Sequence, residues 1–82
     1  DANLEKAIRD ALGIPTELLK KEDLAGLKEL SYENKEGAKI ADLTGIEHCT
    51  NLTVLNLRSN QISDISPLAN LTNLTNLFYR AG

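Results

Sequence analysis

The fold this sequence predicts is an α/β solenoid: parallel strands stacked coil on coil, with helix laid over the N-terminal end. Three observations predict it. A leucine pattern returns at a fixed spacing, the one slip in that spacing coincides with a polar insertion, and an amphipathic stretch precedes the first coil. Leu52 and Leu74 lie 22 residues apart, as do Leu55 and Leu77, and Asn51-Leu52-Thr53 returns as Asn73-Leu74-Thr75. Within the period, Leu52, Leu55, Leu57 and Asn60 spell L-x-x-L-x-L-x-x-N, the signature of a leucine-rich repeat.

The period also runs backward. Ile62, Asp64, Ile65, Leu68 and Leu71 map 22 residues earlier onto Ile40, Asp42, Leu43, Ile46 and Cys49, so every apolar position stays apolar and the Asp returns as Asp. The earlier strand reads Leu27-Lys-Glu-Leu30-Ser-Tyr32, yet Leu27 and Leu52 are 25 apart. The three extra residues fall in the polar, Gly-containing segment 33–39. The chain therefore divides, as one domain, into a helical cap (1–26), a first repeat with an insertion (27–51), a regular repeat (52–73) and the strand of a third (74–82).

In the cap, Leu4, Ala7, Ile8, Ala11 and Leu12 recur at i, i+3, i+4, i+7 and i+8, one face of a helix. Asp1 or Asn3 can cap its start, and Gly13 suits the left-handed residue past its end. Ile14-Pro15 breaks it. Residues 16–26 read as one short helix or two broken turns, with Leu18, Leu19, Leu24 and Leu27 on the apolar side. A solenoid's first strand has an open edge and an exposed core end, and a helix over that end covers both.

In each repeat the alternation of a strand points Leu55 and Leu57 inward and Val54, Asn56 and Arg58 toward the concave face. Asn60 falls where the chain turns after the strand, and its amide can donate to and accept from backbone groups that no ladder reaches. The first repeat lacks that residue, so its insertion is expected to make a looser turn. Ile62, Ile65, Leu68 and Leu71 carry the core round the convex side, and Ser66-Pro67 predicts a 3₁₀ turn or helix start.

Composition narrows the function classes. The net charge is −3, with no run of Lys or Arg, which argues against nucleic acid and anionic membranes as partners. No apolar stretch approaches the roughly 18 residues of a membrane span, so membrane insertion is not expected. The chain opens at Asp1 rather than Met, which reads as a processed or excised piece. The single Cys cannot form an internal disulfide, and Cys49 holds the core position of Leu71.

Candidate chemistry is sparse. His48 sits at the convex position of Asn70, with no nucleophile or carboxylate pair placed around it by the repeat. One His and one Cys are too few for a metal site. Asp42 and Asp64 are expected to bond adjacent turn backbone, and the Asn-x-Thr triplets at Asn51, Asn70 and Asn73 read as by-products of the repeat. The expectation is no enzyme, no metal and no cofactor. The outward positions form three columns across the strands: Glu29, Val54 and Asn76; Ser31, Asn56 and Phe78; Glu33, Arg58 and Arg80. They admit two readings. One is a mixed-charge binding patch anchored by Phe78, the aromatic type that hot spots favour. The other is a solvated sheet face with Arg58 and Glu33 as a weak cross-strand pair, below about 1 kcal/mol.

The run from Ile62 to Leu74, Ile-Ser-Asp-Ile-Ser-Pro-Leu-Ala-Asn-Leu-Thr-Asn-Leu, resembles the 22-residue repeats of bacterial internalins. Leu4 to Leu24, with Lys21-Glu22-Asp23-Leu24 before the first strand, is similar to the helical internalin cap. The resemblance implies a right-handed solenoid with its parallel sheet on the concave side, secreted by or displayed on a bacterial cell. It implies a protein ligand contacted by concave side chains. This chain departs from the pattern in its first-repeat insertion, in holding two full repeats without a C-terminal cap, and in placing Tyr79 at the position of Leu57. The exposed strand 74–80 carries a second expectation, a purely structural or engineered building block that self-associates through Leu74–Arg80.

Overall fold

The computed structural model describes residues 1–33, 37 and 39–81; the side chains of Arg80 and Ala81, and most of the insertion read at 33–39, lie outside the described residues. The elements in order are α1 (Ala2–Leu12), α2 (Lys21–Ala25), β1 (Glu29–Ser31), a 3₁₀ turn (Ile46–His48), β2 (Val54–Ile62), a second 3₁₀ turn (Ser66–Leu68) and β3 (Asn76–Ala81). The three strands form one parallel sheet in the order β1-β2-β3. The 3₁₀ turns stack on the opposite side, and the leucine core fills the space between.

α1 forms where the apolar spacing places it. The Asp1 carboxylate accepts from the Asn3 and Leu4 N–H groups, and Gly13 closes the helix at φ 70°, a conformation that costs Gly no Cβ clash. Leu4, Ala7 and Ile8 are buried and Leu12 half-buried, while Ala11 faces solvent, so the apolar face is narrower than the spacing suggests. α1 lies against β1. Residues 16–26 resolve into a single short helix that begins only at Lys21. Leu18, expected on its apolar side, is 81% exposed, because it sits in the irregular segment before the helix. Leu19 and Leu24 pack on the core as expected.

Asp1 also works at long range. Its second carboxylate oxygen accepts from Ala41 N–H at 3.0 Å and Asp42 N–H at 3.2 Å, and Asn3 Nδ2 donates to Lys39 O at 3.1 Å. One residue thus caps α1 and ties it to the first coil.

The inward positions behave as the period requires: Leu30, Ile40, Leu43, Ile46, Cys49, Leu52, Leu55, Leu57, Ile62, Leu68 and Leu71 are all buried. On the outer strand, Leu77 at the position of Leu55 is 36% exposed, and Ile65 departs as well. It is 40% exposed, whereas Leu43 one period earlier is 1% exposed. Leu43 lies in a coil flanked on both sides, and Ile65 lies in the outermost complete coil of the structure.

β2 does not end before Asn60 but continues through it to Ile62. Ser59 adopts φ 65°, the left-handed region, and the register with β3 breaks between Leu57 and Ile62. This kink turns the Asn60 side chain into the protein. Its Oδ1 accepts from Ile40 N–H at 2.8 Å, and its Nδ2 donates among Tyr32 O (2.7 Å), Leu57 O (3.0 Å) and Arg58 O (3.1 Å). Tyr32 and Ile40 are the two ends of the first-repeat insertion. The turn bonding missing from the first coil is therefore supplied by the Asn of the second.

Candidate protein-binding face

Alternation along the strands sets one sheet face against the core and leaves the other open. Glu29 and Ser31 are exposed on either side of buried Leu30; Val54 and Asn56 are half-buried and Arg58 exposed around buried Leu55 and Leu57. Parallel pairing copies the period from strand to strand. Glu29 pairs with Val54 and Val54 with Asn76, while Ser31 pairs with Asn56 and Asn56 with Phe78, so the first two columns stand in register.

The third column does not form a ladder row. Regular pairing between β1 and β2 ends at Ser31 and Asn56, and that between β2 and β3 at Leu57 and Tyr79. Glu33 is exposed beyond the end of β1, and the side chain of Arg80 lies outside the described residues. The expected Arg58–Glu33 pair is absent among the described residues. The Arg58 guanidinium instead sits over the Phe78 ring, 4.6 Å from its centroid. The diagonal neighbour on a continuous sheet offers a flat partner, whereas Glu33 lies where the ladder has ended. Phe78 itself is 38% exposed, a large aromatic on a face whose other described members are polar except for half-buried Val54.

Side-chain bonds that the sequence leaves unread hold the coils behind this face. Asn51 Nδ2 donates to Ala25 O at 2.7 Å, and Asn73 Nδ2 to Thr50 O at 3.2 Å. Thr53 Oγ1 donates to Lys28 O at 3.0 Å, and Thr75 Oγ1 lies 3.1 Å from Thr53 O. The Asn-Leu-Thr triplets that begin at Asn51 and Asn73 therefore clasp the preceding layer, cap or coil, and their recurrence at 22 residues was the signal available for it.

The remaining candidates make local contacts. Asp42 accepts from Thr44 N–H and Oγ1, and Asp64 from Ser66 N–H, which holds both carboxyls below the usual Asp range. Glu47 is lowered likewise by backbone N–H groups, that of Gly45 among them at 2.8 Å. Cys49 is fully buried, and burial pushes its thiol up to about 11. His48 is exposed with Nε2 3.7 Å from Glu47 Oε2, on the rim of an open groove of about 210 Å³ between α1 and the first 3₁₀ turn. Among the described residues no cluster of three or more potential ligands could hold a metal, and no helix is long and apolar enough to cross a membrane.

The family model described as Leucine Rich repeats (2 copies) matches residues 26–70 and again 50–78. The chain belongs to the leucine-rich-repeat family. Among solved structures, this leucine-rich-repeat chain is similar to an internalin of Listeria monocytogenes, 42% identical over 96% of its length with a TM-score of 0.88. It is similar to internalin C2 of the same species at 37% over 94%, TM-score 0.84. A structure of Clostridium perfringens ZmpB, holding CBM51-2 and INT domains with GlcNAc, matches at 32% over 94%, TM-score 0.82. The chain spans 23%, 34% and 16% of those three chains. No curated protein sequence matches it. These likenesses make it internalin-like, and its fold is the leucine-rich-repeat right-handed solenoid, with parallel concave strands and an N-terminal helical cap.

Proposed function

We propose that this chain is the capping segment and first repeats of a bacterial surface or secreted protein, and that it serves as a protein-binding module with no catalytic role. Residues 1–26 act as the cap, 27–51 and 52–73 as repeats, and 74–82 as the strand of a third. The observation that carries the binding reading is the open sheet face, where Phe78 and Arg58 stack across β2 and β3 between polar neighbours. Leucine-rich-repeat scaffolds present such a face to protein partners, and aromatic residues and Arg are types enriched at the cores of protein interfaces. Capping is supported by α1 lying against β1 and by the Asp1 bonds into the first coil.

The test places a photo-crosslinking residue at position 56 on the sheet face or at position 70 on the convex side. Candidate host and bacterial surface extracts supply the partner. Crosslinks to a discrete protein from position 56 and none from 70 are expected. The reverse pattern overturns the reading.

A second reading is favoured by one observation. Leu77, Phe78 and Tyr79 are exposed large hydrophobic residues in β3, the outer strand of the sheet. An exposed strand edge flanked by apolar side chains is a template for pairing with a second copy. In that case the chain is a structural building block that self-associates through residues 74–80. Light scattering across micromolar to millimolar concentration decides it: a rising average mass supports self-association, and a strict monomer throughout excludes it.

A further inference from the structure

We propose that Arg58, lying over Phe78 beside the Asn56 amide, reads an Asp or Glu side chain of the protein partner. The inference rests on the open sheet face being the binding surface, and it names what that surface recognises.

Three observations converge on a carboxylate. The first is geometry. The Arg58 guanidinium sits over the Phe78 ring, 4.6 Å from its centroid, and the residue is exposed on the open sheet face. A guanidinium so placed offers planar donors in the fork that matches a carboxylate, and stacking leaves less freedom to lose on binding.

The second is the lack of an internal partner. Lys6 and Arg9 on α1 are matched by Asp10 and Glu5, but among the described residues no carboxylate lies within ion-pair distance of Arg58. An Arg recruited only for solubility has no reason to lie on a ring, and one recruited for an internal bridge has no such partner among the described residues.

The third is the polarity of the neighbour. Asn56 Oδ1 accepts from the Arg58 backbone N–H at 3.2 Å. A backbone N–H can only donate, so this bond fixes which end of the amide is oxygen and turns the NH₂ group away from it. No protein acceptor takes that NH₂ among the described residues. Asn56 and Arg58 lie two residues apart on one strand face, about 7 Å along the chain, near enough to approach one carboxylate from two sides. One lone pair of the acceptor is engaged within the strand and the donors have no protein partner among the described residues, a pattern that suits an anion. A nucleic-acid backbone fits poorly, because the net charge is −3 and exposed Glu29 shares the same face.

The experiment titrates the chain with acetyl-(Glu)₄-amide and with acetyl-(Gln)₄-amide, following backbone amides, Asn side-chain amides and Arg Nε–Hε signals by NMR. The capped ends remove terminal carboxylates, so only side chains can act. With the Glu peptide, Arg58 Nε–Hε and Asn56 Nδ2 signals are expected to move at least fivefold more than with the Gln peptide. Raising the salt should weaken the effect, as screening of an exposed pair requires. Arg58→Gln should abolish the response, and Phe78→Leu, which keeps an apolar side chain but removes the ring, should weaken it several-fold. An unchanged titration in Arg58→Gln overturns the inference, as do shifts centred on Lys20, Lys21 and Lys28. If both peptides move the sheet-face amides equally, that face binds peptide without reading charge, and only this inference falls. Shifts confined to α1 and the convex side sink the binding-face reading as well.

Discussion

Asn60→Ala tests whether one side chain holds the first-repeat insertion in place. Among the described residues, Asn60 is the one polar side chain that is buried. Its amide has one acceptor and two donor hydrogens, so the three carbonyls around Nδ2 share two protons and the side chain makes three bonds' worth of interaction. At about 1 kcal/mol each these give about 3 kcal/mol, and a buried Ile40 N–H left without an acceptor moves the cost upward. A chain of this size has roughly 4–12 kcal/mol of stability in total, so the loss is a large fraction of it. The melting temperature should fall by roughly 12–24 °C, at 4–8 °C per kcal/mol. Urea unfolding followed by circular dichroism reads the change, with an unaltered m-value showing that the same surface is exposed. Asn60→Asp is the companion variant. It keeps the acceptor for Ile40 but sets a carboxylate against three carbonyls, so it should cost at least as much at neutral pH and recover in part once acid restores a donor. A loss below about 1 kcal/mol in the Ala variant, or an Asp variant as stable as the wild type, refutes the account of Asn60 as the link between the coils.

Asp1→Ala removes an acceptor from four N–H groups and should cost about 2 kcal/mol, half as the cap and half as the tether; hydrogen exchange in α1 should then quicken roughly tenfold or more while β2 holds, and equal quickening in both would refute a local tether. Leu43→Ala and Ile65→Ala truncate equivalent positions one period apart, yet the first should cost about 2–5 kcal/mol and the second about 1; equal losses in urea melts would show that the outer coil does not differ in packing. Cys49 should resist iodoacetamide until the chain unfolds. Its folded thiol is raised from 9.0 to about 11, so its contribution is complete below the lower value and is lost as pH climbs toward the upper. Cys49→Ala should flatten that alkaline limb of stability against pH, and a limb of the same slope would assign it to other groups.

The inward face was legible in the sequence because a strict period assigns each leucine a place, and the strands pair in parallel, copying one coil onto the next. The same copying made two outward columns legible, Glu29–Val54–Asn76 and Ser31–Asn56–Phe78. What periodicity cannot carry is whatever depends on a neighbour outside the repeat. Ile65 has the pattern of Leu43 but not its covering coil. The Asp1 bonds to Ala41 and Asp42 join residues some 40 apart, one of them in a segment that does not repeat, so no periodic trace exists. The third column fails for a local reason instead. Ser59 leaves the extended region, the register breaks after Leu57, and the 22-residue rule stops predicting which side chains meet. Arg58 stands at that break. The kink that sends Asn60 inward to bridge the first coil also leaves Arg58 beyond the last regular pair, where its nearest flat surface is Phe78. The device that secures the insertion and the arrangement of the candidate binding face thus have one origin, a single left-handed residue in β2. Changes at Ser59 should therefore move stability and the Arg58–Phe78 geometry together.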